Sequence, residues 1–75
     1  MKNEGKPTFK ELLEKHDIDF HYFYENCLEV PTEEISIMYT SSICTRSGIA
    51  KMLIWVNNHA HTSYTTEDIY IAQMY

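Results

Sequence analysis

The segment "RSGIAKMLIWVNNH", residues 46–59, constrains the chain most. Ile49, Met52, Leu53 and Val56 recur at i, i+3, i+4 and i+7, the spacing that lines one face of an α-helix. Thr45 stands where an N-cap is needed, and "NNHAHTS" ends the periodicity. A helix with one apolar stripe must bury it against other elements. With 75 residues in all, there is room for one small core and one domain. The six tyrosines, three phenylalanines and Trp55 help so short a chain, because large aromatics bury much area per residue.

The remaining segments supply helical partners. Residues 1–7 read as a flexible tail ending at Pro7, and residues 8–75 as a single domain. "TFKE" at residues 8–11 is a capping box, followed by an apolar stripe of Phe9, Leu12 and Leu13. That helix should end near His16. Asp17 or Asp19 then caps a second helix, with Phe20, Phe23, Tyr24, Cys27 and Leu28 on one face.

The stretch "VPTEEISIMYTSSICT", residues 30–45, reads two ways. Ile35, Ile37 and Tyr39 alternate as in a strand, whereas Ile35, Met38 and Tyr39 share a helical face. Pro31, Glu33 and Glu34 decide for a helix over 32–39, since proline and acidic residues suit a first helical turn and are depleted in strands. "TSSICT" then reads as a turn. Thr65 and Asp68 form an acidic capping box for a short fifth helix, "TEDIYI", and the tail "IYIAQMY" either extends it or forms an edge strand. The expected fold is therefore all-α, a compact bundle of about five short helices.

Charge limits the functions open to it. The formal net charge is −5, and no Lys or Arg lies between His16 and Thr45. Contact with nucleic acid would need a local basic patch, because phosphate contacts dominate that affinity. Arg46 and Lys51 lie near one another, and Lys6, Lys10 and Lys15 lie near the N-terminus. Cys27 and Cys44 lack paired zinc-ligand spacing and read as free, buried packing residues. In a helix His59 and His61 point about 200° apart, so no metal is expected, nor any other cofactor. No catalytic constellation or phosphate-cradling loop stands out, and the chain reads as a non-enzyme. No export signal or membrane-spanning apolar run is present, so a cytoplasmic protein is expected.

Residues 18–39, "IDFHYFYENCLEVPTEEISIMY", resemble the core of the lambda-repressor-like helix-turn-helix family, the phage repressor and Cro type. In that family a Gly-Val-Ser turn precedes a recognition helix whose first inward residue lies five positions after the Val. Val30 and Ile35 have this spacing, and Tyr24 fits the apolar slot of the preceding helix. Residues 42–71 resemble the second half of small bacterial regulators of this type, most closely at Tyr64, Thr65, Glu67, Asp68 and Ile69. The sequence departs at Glu25, where the family has a small residue, at Glu29, where it has the turn Gly, and at Pro31, where it has a Ser cap.

The resemblance implies a central helix-turn-helix in a DNA-binding transcriptional regulator of bacterial or phage type. It places Thr32, Glu33, Ser36 and Ile37 toward the groove of double-stranded DNA, with Tyr39, Thr40, Ser41, Ser42, Arg46 and Lys51 on phosphates. It also implies a homodimer, through the fifth helix and the tail. The acidic outer faces support a second expectation, that the scaffold serves protein–protein interaction or homodimerisation without DNA. Trp55 lies off the Ile49–Val56 stripe by about 90–100°, at the core edge or in a dimer interface.

Overall fold

A computed structural model describes residues 5–75. Four α-helices and one pair of two-residue strands lie among them: α1 (Phe9–Lys15), α2 (Phe20–Asn26), α3 (Thr32–Ser41), β1 (Ile43–Cys44), α4 (Arg46–Ala60) and β2 (Gln73–Met74). A single 3-10 turn covers Thr66–Asp68. The architecture is thus mostly helical but not strictly all-α, with four helices where about five were expected.

Local chemistry sets each helix end. The Thr8–Glu11 capping box opens α1, with the Glu11 amide donating to Thr8 Oγ1 at 3.2 Å and the Thr8 amide to Glu11 Oε1 at 3.0 Å. The two aspartates that follow divide the work. Asp17, at φ 56°, is the left-handed residue of a Schellman ending: its amide donates to Glu14 and the Ile18 amide to Leu13. Asp19 caps α2, accepting from the Tyr22 amide at 3.2 Å. The helix reading of residues 32–39 holds and extends to Ser41, with Pro31 at the N-cap.

The expected α2 face holds for the buried Phe23 and Cys27 but fails at Leu28, which is 83% exposed. Cys27 leaves the helix at ψ 82°, and this swings Leu28 away from the core. The turn into α3 also differs from the family pattern. Glu29 is not among the described residues with positive φ, so the carboxylate stands at the glycine position without strain.

"TSSICT" is more than a turn. Ser42 ends α3 in the left-handed region at φ 58°, and Thr45 begins α4 three residues later. Between them Ile43 and Cys44, both suited to extended backbone, pair in parallel with Gln73 and Met74. Ala72 and Tyr75 donate their amides to Ser42 and Cys44, and Arg46 donates back to Tyr75. The fifth helix fails for the same reason. The Thr65–Asp68 box forms, but Ile69 takes φ −128° and is buried. The β-branched, aromatic run Ile69–Ile71 then follows the extended path to β2. Of the expected tail, residues 1–4 lie outside the described residues, while the Pro7 carbonyl accepts from the Tyr70 amide at 2.8 Å.

The core unites the sequence stripes. Phe9, Leu12 and Leu13 of α1, Phe23 of α2, Ile35 and Met38 of α3, and Ile49, Met52, Leu53 and Val56 of α4 are all under 5% exposed. Phe9 and Phe23 meet edge to face with ring centroids 5.3 Å apart. At about 1.5–3 kcal/mol for each large apolar side chain removed from water, this cluster is the main stabilising term.

Candidate functional site

α3 rests on α1 and β1 beneath it and turns Thr32, Glu33, Ile37, Thr40 and Ser41 to solvent. Its neighbour Glu34 points elsewhere. The Glu34 carboxylate accepts the Thr45 hydroxyl at 3.1 Å, and Thr45 Oγ1 in turn accepts the Gly48 amide at 3.0 Å. The first turns of α3 and α4 therefore meet at one carboxylate, whose negative charge offsets the positive ends of both helices. Gly48 permits this approach. A Cβ there would lie 2.7 Å from Glu34 Oε1 and 2.8 Å from Thr45 Oγ1.

The ten residues expected at a DNA surface do not share one face. Tyr39 is half-buried, its ring 4.0 Å from that of Phe20, with Lys10 Nζ 5.8 Å from the Tyr39 centroid. Ser42 is 8% exposed, and its carbonyl is used by the strand pairing. Ser36 is half-buried, and the Thr40 hydroxyl donates back to the Ser36 carbonyl at 2.9 Å. Arg46 and Lys51 are both exposed but separate. Arg46 is tied by its amide to Tyr75, beside a small apolar groove of Ile37, Ile43 and Tyr75. Lys51 opens onto a second groove, between α2 and α4. What gathers around α3 is thus its outer polar face, Arg46 at its start and Lys10 near its end.

The α2–α4 groove has a volume of about 330 Å³ and is lined by Asn26, Leu28, Glu29, Lys51, Ile54 and Trp55, among others. Ile54 is 57% exposed. Trp55 closes one edge of the core, edge-on to Phe23 at 4.9 Å and stacked on His59 at 5.0 Å. The half-exposed Tyr22 completes this aromatic cluster, 6.0 Å from Trp55. Sequence reasoning missed the groove, yet a signal was present. Residues 52–56, "MLIWV", are five apolar residues in succession, and one helix cannot turn all five to a single core.

Outside these faces, a few polar side chains tie the loop after α4 to the helices. Asn57 holds the loop after α4: its Oδ1 accepts from Thr62 Oγ1 and the Tyr64 amide, both at 2.8 Å, and its Nδ2 donates to the Tyr64 carbonyl. His16 Nε2 and the Tyr64 hydroxyl lie 2.7 Å apart. Burial raises both thiols above the ordinary 9.0, reinforced by Glu29 at Cys27 and by Glu34 at Cys44. Among the described residues no helix is long and apolar enough to cross a membrane. No family model, curated protein or solved structure matches the chain.

Proposed function

We propose that the chain is a non-catalytic helix-turn-helix-type regulatory domain that docks on duplex DNA through the outer face of α3. The observation that carries this is the free face itself: Thr32, Glu33, Ile37, Thr40 and Ser41 exposed, with Lys10 and Arg46 at its flanks. The engagement of Glu34 by Thr45 supports the reading further, since it turns one carboxylate away from that face. Hydroxyls can position a phosphate backbone without reading sequence. With two or three cations per chain, log affinity should fall with log salt at a slope of about −1.8 to −2.7.

Fluorescence anisotropy of labelled random duplex tests this. Between 50 and 200 mM salt, binding should weaken by roughly 10- to 40-fold, and Arg46→Ala or Lys10→Ala should each reduce the slope by about 1. Absence of binding at low salt would overturn it. A second reading has its own observation in favour. Asp19, Glu33 and Glu34 place carboxylates at the starts of α2 and α3, where phosphates would otherwise sit. On that reading the scaffold contacts a protein partner, not DNA.

A further inference from the structure

We infer that the α2–α4 groove is a two-fold interface with a second copy of this chain. Three observations converge on that occupant. The first is apolar exposure: of the five large apolar side chains exposed among the described residues, Leu28 (83%) and Ile54 (57%) line this groove and Tyr22 (50%) stands beside its Trp55, while Ile37 and Tyr75 line the smaller groove. Contiguous exposed apolar surface of this kind marks an interaction site.

The second is that the face is complementary to itself. In a two-fold contact residue i meets j while j meets i, so a single patch must carry both members of each pair. Here Glu29 and Lys51 line the same groove with the amides of Asn26 and Asn58. A second copy turned through 180° can set Lys51 against Glu29 twice, and each amide supplies both a donor and an acceptor. The protruding Leu28 lies at the edge of the groove, so each copy offers a knob and a hole.

The third is net charge. Two chains of −5 repel one another wherever carboxylates meet. Glu29 and Lys51 cancel, which makes this a locally neutral face, whereas a basic partner would be drawn to the carboxylates of α2 and α3. A standard interface covers about 800 Å² per partner, a sixth of this chain's 4832 Å². The groove with Tyr22 and His59 beside it is a suitable centre for such an area. The fifth helix through which a dimer was expected does not form, Ile69 is buried and β2 is paired with β1, while Tyr75 in the tail stays exposed beside the smaller groove.

Sedimentation equilibrium from micromolar to millimolar concentration, with Trp55 emission followed in parallel, tests the inference independently of DNA binding. The wild type should shift from 8.9 kDa toward twice that mass, with a blue shift as Trp55 loses water. Leu28→Asp alters an exposed side chain and should abolish association while circular dichroism stays unchanged. Glu29→Lys and Lys51→Glu should each weaken dimerisation about tenfold, because each sets like charges together twice. The double exchange should restore it to within about threefold. A wild type that stays monomeric throughout overturns the inference and leaves the groove to a different partner. So does a dimer indifferent to Leu28→Asp, or single exchanges that the double exchange fails to rescue.

Discussion

Replacing Thr45 by alanine probes the joint on which the α3–α4 corner depends. The hydroxyl does two things at once, accepting the Gly48 amide at 3.0 Å and donating to Glu34 at 3.1 Å. Loss of an N-cap of this type costs about 1 kcal/mol. Loss of a hydrogen bond to a charged acceptor costs roughly 1.5–3 kcal/mol, but Glu34 is half-exposed and water replaces part of the bond, so about 1 kcal/mol is kept here. The expected total is about 2 kcal/mol, which in a domain of this length lowers Tm by roughly 8–16 °C. Thr45→Ser keeps the oxygen and should stay within about 0.5 kcal/mol of the wild type. Urea unfolding of Thr45→Ala, Glu34→Ala and the double variant should yield a coupling of about 1 kcal/mol. Thr45→Ser falling as far as Thr45→Ala, or a coupling near zero, would refute the reasoning and assign the role of Thr45 to its methyl group.

Gly48→Ala should change sign with its surroundings. In the wild type the new Cβ displaces Glu34 and the cap, giving a net loss of about 0.5–1 kcal/mol, whereas beside Glu34→Ala and Thr45→Ala the helix-propensity gain of about 1 kcal/mol should emerge, read by the same urea titration. Asn57→Ala removes three hydrogen bonds of a half-buried side chain and should cost about 2–3 kcal/mol, with thermal unfolding as the measurement; a change below half that would show the loop to be held by other means. The two cysteines make stability fall at alkaline pH. Their folded-state values are raised, so their contribution is fully present below the ordinary 9.0 and is lost as pH rises through the folded-state values. Urea midpoints measured upward from pH 8 should decline in the wild type and decline less in Cys27→Ala with Cys44→Ala.

Where one residue type had one local role, the sequence was a sufficient guide. The boxes at Thr8 and Thr65, the cap at Thr45 and the buried stripe of α4 follow from side-chain reach and helical period, both short-range properties. Asp17 and Asp19 were ambiguous because a short polar residue serves equally as an N-cap or as a left-handed helix end, and only the path of the chain between α1 and α2 decides. The strand pair was hidden for a different reason. Ile43 and Cys44 are too few to show a period, and their partners lie about thirty residues away. The α3 face was legible in outline, but Tyr39 and Ser42 were drawn inward by Phe20 and by the strand pair, and neither contact has a sequence signature. The exposure of Leu28 rests on one backbone angle at Cys27.

That strand pair also bears on how the fold opens and closes. α1 to α4 join neighbours through short connections and can assemble by local steps, whereas β1 meets β2 only after a long loop has closed, so the clasp belongs to the late side of folding. The same asymmetry makes it the natural first point of release. The amides of Ala72 and Tyr75, held by only a few bonds near the surface, would exchange with solvent through partial openings that leave the Phe9–Phe23 core intact. While that clasp is open, Arg46 is freed from Tyr75, and the α3–α4 corner keeps the Thr45–Glu34 hydrogen bond and the core beneath it.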